Sequence, residues 1–505
     1  MLHNTIRSLA LATGLAQTNA DVAAILDQVV AQHRPILEAI LTKFFRAEIT
    51  PENTFNFERE LADELRKVGQ QTVEDALNTL EGDQPERLPH DVHYEGGGYR
   101  RLKGKTANRH VATLFGTITL YRLPYRYWHR VSGERCIFPL EIQLGLRQGA
   151  TPALAEAVAR YMAQAGATQQ AVLERLRSQH GVTLGVQRLR DLTAELSEAL
   201  AELTPQAQAD RLLELLEIAA NSRGNRRPVF AVGRDGVTLR NYRWGFFEVA
   251  TVATLAIYDR AGKRLGTVYL SVAPELGQHT LTARLTTLIE AVLRRWEGPL
   301  PRLCYVTDAG DEETKYYYRV LRRMKHPRTG EKLAWTRIID YYHASSRIWT
   351  MAEALFGKDT QEGRAWALRM CRLLKKPSGV RRVLYSAAAL RGRRNLTKVQ
   401  RGVYEKAYRY LQKRTRQMRY HEYQGQHLPI GSGVTEAACK TVVTQRLKLS
   451  GMRWEKANAQ KILDLRVVWL SGIWAETYRR LLVSSRVATL RTYRQLPLLS
   501  LHQAA

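Results

Sequence analysis

Cysteine is scarce in this sequence: 505 residues contain four, Cys136, Cys304, Cys371 and Cys439. No two are spaced as CxxC, so the sequence predicts neither a zinc ribbon nor a disulfide-stapled scaffold. Long uncharged apolar runs are missing as well, and a membrane-spanning helix needs about 20 such residues. These absences favour a globular protein of a reducing cytoplasm.

Acidic residues are outnumbered, since 77 Lys and Arg face 48 Asp and Glu, for a net charge of +29. That excess predicts a polyanionic partner, most often nucleic acid and less often an anionic membrane surface. Residues 1–90 run against the trend, with 8 basic and 14 acidic residues. Residues 371–420 carry 16 basic residues and one acid, Glu405. Apolar and aromatic residues recur among them at helical spacing, which favours folded basic helices that contact nucleic acid over a solvated tail.

Changes in periodicity divide the chain into six predicted segments. They are an acidic helical domain (1–90), a small β domain after a linker (99–148), a helical segment (151–227), an α/β core (228–356), a basic all-helical insertion (357–428) and C-terminal helices that complete the core (429–505). Three short helices are expected within 151–200, which is compatible with a helix-turn-helix, although many small bundles share the pattern. Arg188 and Arg190 of the third helix would then face DNA.

The core segment has the predicted order β-β-β-α-β-α-β-α. Three hairpin-connected strands followed by alternating units is the order of the ribonuclease H-like fold, so the sequence predicts a multidomain α+β protein with such a core. Asp235 follows the first predicted strand, and Asp308 follows the fourth. In this order the two strand ends are neighbours at the centre of the sheet.

Paired carboxylates at this place suit hard divalent cations, and a third acid would complete a two-metal site for phosphoryl transfer. Taken singly, each aspartate is as readily a turn or cap residue, and Asp235-Gly236 is a common turn dipeptide. Asp311 is an alternative to Asp308, but Asp308 directly ends its strand and Asp311 is more readily a helix cap. By spacing alone, Glu436 is as readily the third-position acid of a helix cap.

Several segments resemble one known family, the bacterial insertion-sequence transposases of the ISKra group, relatives of the Mutator-like DDE transposases. The segments are Gly431–Glu436 (GSGVTE), Arg446–Trp454 (RLKLSGMRW), Leu463–Arg466 (LDLR), Ile339–Ala344 (IDYYHA, an acid-x-x-His signature), Leu114–Thr119 (LFGTIT) and Phe138–Leu146 (FPLEIQLGL). The resemblance runs from about residue 100 to 480 and is most specific over 431–466.

The resemblance implies a catalytic, metal-binding triad of Asp235, Asp308 and Glu436 that holds two Mg²⁺ or Mn²⁺ ions. Asp308 and Glu436 are 128 positions apart, and the separation is long because the basic insertion lies between them. The signature places Asp340 and His343 near the site, as supports or against the scissile region, although a core histidine is the alternative; neither is expected to ligate metal. Many relatives carry a CxxC where this chain has residues 125–130, so no zinc is expected.

The sequence therefore predicts a DNA transposase of the DDE type, which cuts the ends of an insertion sequence and joins them to target DNA. Its expected partners are double-stranded DNA and further copies of the chain, in a homodimer or higher synaptic assembly, and its expected location is the bacterial cytoplasm at the nucleoid. The rivals are a stand-alone nuclease on the same fold and a domesticated DNA-binding protein without chemistry.

The residues expected to contact DNA lie in three segments. They are Arg188 and Arg190; Arg391, Arg393, Arg394, Arg414 and Arg416; and Arg446, Lys448, Arg453 and Trp454. The basic members would bind phosphates, which positions DNA without specifying its sequence. Trp454 is either a core aromatic or a surface on which a base stacks.

Overall fold

The computed structural model describes residues 19–81, 88–94, 97–128, 136–240 and 247–494. Those residues form two compact units of mixed α and β structure, which confirms the prediction of a multidomain α+β protein. The first unit holds the described residues between 19 and 162, with 167–199 and 478–494; the second holds 163–166 and 200–477. The beginning of the predicted acidic domain, His129 and Arg130, and the last residues of the chain lie outside the described residues.

Two long helices open the first unit, α1 (Asn19–Arg46) and α2 (Pro51–Asn78). Thr50 caps α2 by accepting a hydrogen bond from the N–H of Asn53, and Pro51 occupies the first helical position, where no intrahelical N–H is needed. The two helices pack together, and a buried His33 ring lies 2.7 Å from the Glu64 carboxylate.

Six strands follow in the described part of the first unit. β1 (Asp91–Tyr94), β2 (Gly97–Arg101), β5 (Tyr125–Tyr127) and β6 (Cys136–Ile137) form one antiparallel sheet, whereas β3 (Thr106–Thr113) and β4 (Gly116–Arg122) form a separate hairpin. The expectation of a linker before residue 99 is therefore wrong for β1 and the start of β2. The reason is Val92, which is buried in a small cluster with Leu123 and Tyr125.

Helices α3 (Pro139–Gln143), α4 (Pro152–Ala163), α5 (Gln169–His180) and α6 (Val186–Ala220) come next. Thr168 caps the start of α5, and Gly181 ends it in the left-handed conformation. The expectation of a short third helix is wrong, because α6 runs for 35 residues as leucines continue at helical spacing. A helix of this length does not fit a compact three-helix domain of the kind that reads DNA.

The second unit is built on a five-stranded sheet in the order β11-β10-β7-β8-β9. Its strands are β7 (Val229–Arg240), β8 (Phe247–Tyr258), β9 (Arg264–Val272), β10 (Arg302–Thr307) and β11 (Trp335–Ile339). β7, β8 and β9 are antiparallel neighbours, and β10 and β11 run parallel to β7. The expected end of the first strand before Asp235 is wrong, since β7 stays paired with β8 as far as Arg240.

Eleven α-helices of the described chain follow β9. They are α7 (His279–Arg295), α8 (Asp311–Arg319), α9 (Tyr341–Phe356), α10 (Gln361–Leu374), α11 (Gly379–Gly392), α12 (Lys398–Lys413), α13 (Tyr420–Gly425), α14 (Gly433–Ala438), α15 (Gln445–Leu447), α16 (Lys456–Leu470) and α17 (Trp474–Arg494). A π-helical segment, Cys439–Thr444, and a turn at Gly472 interrupt the C-terminal helices expected over 429–505. None of the helices described combines the length and apolar character needed to cross a bilayer.

Alternate side chains of β7 enter two different cores, as the two-residue period of a strand requires. Phe230 and Val232 pack under α7, whereas Val229 and Ala231 pack with α9 and the insertion helices α10–α13. The basic insertion is therefore folded onto the sheet through its own apolar residues, which leaves many of its arginines exposed.

Gly233 marks the closest approach of α14 to the sheet. A Cβ at this position would overlap the Thr435 hydroxyl, whose Oγ1 lies 2.8 Å from the Thr254 Oγ1 on β8. Only a glycine therefore lets α14, and with it Glu436, sit against β7.

We expect Gly233→Ala to lower the free energy of unfolding by about 1–3 kcal/mol, the usual cost of overpacking a core. Gly402→Ala is the matched control: Gly402 lies in α12 with open space around it, so a methyl group there should raise stability by roughly 0.5–1 kcal/mol. Urea denaturation measures both, and equal stability of Gly233→Ala and the wild type would contradict the tight approach.

Candidate active site

Asp235 and Asp308 lie side by side at two adjacent parallel strands, Asp235 within β7 and Asp308 just past the end of β10. Gly233 of β7 pairs with Val306 of β10, and each aspartate stands two residues beyond its member of that pair. Neighbouring strands are about 4.8 Å apart, so the two carboxylates share one end of the sheet. The structure thus brings together the two acids that strand order predicts as neighbours.

Asp235 is held within β7 and not in a turn. Its Oδ1 accepts a hydrogen bond from the N–H of Gly236 at 2.7 Å, and its Oδ2 accepts one from the Cys439 thiol at 3.6 Å. Burial raises the pKa of Asp235, and the neighbouring Asp308 carboxylate adds to that rise, while the Gly236 N–H, the Cys439 thiol and His343 oppose it. Two crowded, partly buried carboxylates of this kind gain from a bound cation.

Asp308 directly follows β10, and its Oδ1 accepts a hydrogen bond from the N–H of Gly310 at 2.9 Å. Ala309 takes a left-handed conformation, with φ of 67°, which turns the chain sharply into α8. Gly310 stands at the N-cap, so the expectation that Asp311 caps this helix is wrong; Asp311 is exposed in the first turn. Asp308 is the aspartate placed beside Asp235.

Glu436 of α14 lies beside His343 and Ser432. Its Oε1 accepts a hydrogen bond from the Ser432 hydroxyl at 2.9 Å and lies 3.6 Å from the Nε2 of His343 on α9. Together with Asp340, these side chains offer ligand atoms that all lie within 4.8 Å of one another. The helix-cap alternative would have the Glu436 carboxylate accept a hydrogen bond from a backbone N–H. In the structure the carboxylate accepts from the Ser432 side-chain hydroxyl instead.

Asp340 joins these pieces from a fully buried position. It is the N-cap of α9, where its Oδ1 accepts the N–H of His343 at 2.7 Å, and its Oδ2 accepts the N–H of Ser432. Its own N–H donates to the Thr307 carbonyl at 2.9 Å, one residue before Asp308. Asp340 is therefore a positioning residue that ties together the backbones beside Asp308, His343 and Glu436.

Cys439 lies against Asp235, and its thiol responds to all three acids of the implied triad. Burial raises the pKa of its thiol, and the carboxylates of Asp235, Glu436 and Asp308 all add to the rise. All three carboxylates thus act on one buried thiol, whereas the group of the described residues whose ligand atoms all lie within 4.8 Å of one another is Asp340, His343 and Glu436, without Asp235 and Asp308. In the sequence, Cys439 is noted only as a cysteine without a CxxC partner. It comes three residues after Glu436, and that spacing puts the two side chains on one face of a helical stretch.

Glu313 is a fourth acid that sequence reasoning missed. It is buried in the first turn of α8, and burial raises its pKa, with Asp308 and Asp235 adding to the rise. Its own backbone N–H and Arg234 oppose it. The sequence signal was three consecutive acids after Asp308, a pattern equally typical of a helix N-terminus, where acids complement the helix dipole.

The residues expected to bind DNA differ in their exposure. The exposed ones are Arg190, Arg393, Arg416, Lys448 and Arg453; the half-buried ones are Arg188, Arg391, Arg394, Arg414 and Trp454. Arg446 alone among these eleven is buried.

Arg446 is 2% exposed, and its guanidinium lies 5.3 Å from the ring centre of Trp454. Burial lowers its pKa to about 10. The expectation that Arg446 contacts phosphate is therefore wrong in this structure, because its side chain is buried and packs against the Trp454 ring. Trp454 is half-buried, and its ring nitrogen is enclosed, which favours the core-aromatic alternative.

Three half-buried arginines bind the protein itself. Arg188 donates to the carbonyls of Gln148 and His110. Arg394 donates to the Leu355 carbonyl and to the Glu362 carboxylate, and covers the Phe356 ring. Arg414 lies over the ring of Tyr410, whose hydroxyl donates to the Asp308 carbonyl at 2.7 Å, so the insertion reaches the loop that carries Asp308.

Arg466 of the LDLR segment stabilises the π-helical segment that follows α14. Arg466 is buried and donates to the carbonyls of Val442 and Thr441 in the π-helical segment, and to that of Ala163. A π-helix leaves carbonyls without their α-helical partners, and Arg466 satisfies two of them. The arginine thereby holds the irregular turn that follows Glu436 and Cys439.

Comparison with protein-family models and with curated protein sequences finds no match for this chain. What the site does must follow from its own residues.

We expect Asp340→Asn to lower the free energy of unfolding by about 1–3 kcal/mol. The amide keeps one acceptor oxygen, but its NH₂ group would face a backbone N–H in a fully buried place, which leaves both donors unsatisfied. Asp359→Asn, at an exposed loop position, is the control and should change stability little. Chemical denaturation measures the free energy of unfolding of both variants, and equal values would contradict the positioning role of Asp340.

Proposed function

We propose that this protein is a DNA transposase of the DDE type, with Asp235, Asp308 and Glu436 as its catalytic carboxylates. The observation that carries the proposal is the adjacency of Asp235 and Asp308 at paired strands, with Glu436 of α14 acting, as they do, on the Cys439 thiol that donates to Asp235. The strand order β11-β10-β7-β8-β9, with β9, β8 and β7 antiparallel, supports a ribonuclease H-like core.

The three carboxylates fit a pair of Mg²⁺ or Mn²⁺ ions by their chemistry, because oxygen donors suit hard divalent cations. Burial and mutual repulsion raise the pKa of Asp235, and a cation would offset that repulsion. When bound, such ions would supply activation of water and compensation of negative charge at a phosphodiester. No zinc is part of this proposal.

The chain itself would position DNA beside the carboxylates. Arg393, Arg416, Lys448 and Arg453 are exposed cations of the same unit, and Arg414 reaches the Asp308 loop. Contacts from such groups to phosphates supply affinity and orientation without reading sequence. The bases of the DNA ends would be read elsewhere, for which the segment with exposed Arg190 is the proposed candidate.

Transposition joins two DNA ends, so we include in the proposal a homodimer or higher assembly at the bacterial nucleoid. Helix α2, with seven acidic and three basic residues, suits contacts between protein copies better than contacts with DNA, because its charge repels phosphate. A nuclease that cuts without joining and a DNA-binding protein without chemistry are the outcomes that the following experiment distinguishes.

We expect Asp235→Asn and Asp308→Asn each to abolish metal-dependent cleavage while leaving DNA binding intact. The substrate is a plasmid that carries the genomic DNA flanking the gene, incubated with Mg²⁺ or Mn²⁺ and a target plasmid. Asp311→Asn is the matched control, because Asp311 is exposed and should leave cutting unchanged. Joined products support a transposase.

Residual cutting by Asp235→Asn or Asp308→Asn above background would contradict the triad. Cutting without joined products would identify a nuclease, and binding without cutting by the wild type would identify a DNA-binding protein.

We expect the double variant Arg393→Ala, Arg416→Ala to weaken the salt dependence of DNA affinity. The log–log slope should fall by about 0.9 for each DNA phosphate that the protein no longer neutralises. The control is Arg294→Ala, Arg319→Ala, which removes two exposed arginines from α7 and α8 outside the insertion. Fluorescence anisotropy over a salt series measures the slope, and equal slopes for both doubles would exclude a special role of the insertion.

A further inference from the structure

We infer that the His343 imidazole is a direct ligand of the metal held by Glu436, so that one metal position has a nitrogen donor and selects Mn²⁺ over Mg²⁺. The inference rests on the proposed function and deepens it, since it concerns the same site. It changes His343 from a neighbour of the site into one of its metal ligands.

The spacing of the two side chains suits ligands of one ion. His343 Nε2 and Glu436 Oε1 are 3.6 Å apart, which is too long for a good hydrogen bond. A metal about 2.0–2.2 Å from each of two ligands holds them roughly 3.0–3.6 Å apart at the usual coordination angles. The pair is already at the separation that a shared ion needs.

Both ligands are held in place by hydrogen bonds behind them, as metal ligands generally are. The Ser432 hydroxyl donates to Glu436 Oε1 at 2.9 Å. Asp340 accepts the N–H groups of both His343 and Ser432, so a single buried carboxylate positions the backbones on both sides of the site. The carboxylate of Asp340 has both oxygens engaged in these bonds and acts from behind the ligands.

The site is also open on its outer side. The His343 and Glu436 side chains are 41% and 47% exposed, whereas Asp340 is fully buried. A catalytic metal keeps a coordination position for water or substrate, and a structural one is closed. This half-open arrangement therefore suits an ion that meets an incoming phosphodiester.

The donor set indicates which ion is preferred. Mg²⁺ favours oxygen ligands, whereas an imidazole nitrogen beside carboxylates suits first-row transition ions such as Mn²⁺. An alternative without metal is a plain ion pair between His343 and Glu436, which at this exposure would be worth little. The two alternatives differ in whether nitrogen is bonded to a bound ion.

Pulsed electron paramagnetic resonance on bound Mn²⁺ tests the inference without relying on activity. Full-length protein is stripped with chelator and loaded with one equivalent of Mn²⁺. We expect electron spin echo modulation from a directly bonded ¹⁴N, which changes to the ¹⁵N pattern when the protein is grown with ¹⁵N-histidine. His343→Ala and His343→Asn should both lose the nitrogen signal.

The same variants should bind Mn²⁺ at least about tenfold more weakly, since loss of even a supporting partner costs 10–100-fold in affinity. His421→Ala is the matched control, because His421 is exposed on α13 and should leave signal and affinity unchanged. Mn²⁺ bound without nitrogen coupling, or coupling that survives in His343→Ala, would overturn the inference and leave the carboxylate site standing. Failure of the wild type to bind Mn²⁺ would overturn the metal site of the proposed function as well.

Discussion

The buried carboxylate of Asp340 is the constraint on which the candidate site depends. It accepts the N–H groups of His343 and Ser432, and its own N–H donates to Thr307, next to Asp308. Asp340 thus joins three parts of the chain, strand β10, helix α9 and the loop before α14, and it is fully buried. Hydrogen bonds to a charged acceptor are stronger than neutral ones, so this small network is well suited to hold three backbones in register.

Two further devices bring Glu436 to the sheet. Gly233 lets α14 approach β7 closely enough for Thr435 to meet Thr254, and Arg466 satisfies carbonyls of the π-helical segment that follows. Gly233 removes a steric clash that would keep α14 away from β7. Arg466 gives hydrogen-bond partners to carbonyls that would otherwise be buried unpaired. The segments of the sequence that are most distinctive, 431–436 and 463–466, thus serve largely to place one carboxylate.

Much of this arrangement was predictable from sequence, because Asp235 and Asp308 stand beside adjacent buried strands whose order sets their proximity. Glu436 was not predictable by spacing, since 128 residues separate it from Asp308 and its local pattern equally fits a cap. The extension of β7 through Asp235-Gly236 was missed because pairing with β8 overrides a turn dipeptide. Arg446 was misassigned because charge in a sequence does not reveal burial, which here depends on the Trp454 ring.

The long insertion is compatible with a precise site because the segment that contains it, from Tyr341 to Ile430, starts and ends at the same point. The N–H of Tyr341, at the start of α9, donates to the Ile430 carbonyl at 2.9 Å, and Asp340 binds Ser432 two residues further on. Loop-closure entropy grows only slowly with length, so once these bonds close the loop, the chain between them can be long at little cost. The insertion packs on the sheet through Trp366, Met370 and Leu411 and turns its arginines outward. A positive surface can therefore lie beside a negative site, and the insertion also steadies that site, because the Tyr410 hydroxyl of α12 donates to the Asp308 carbonyl.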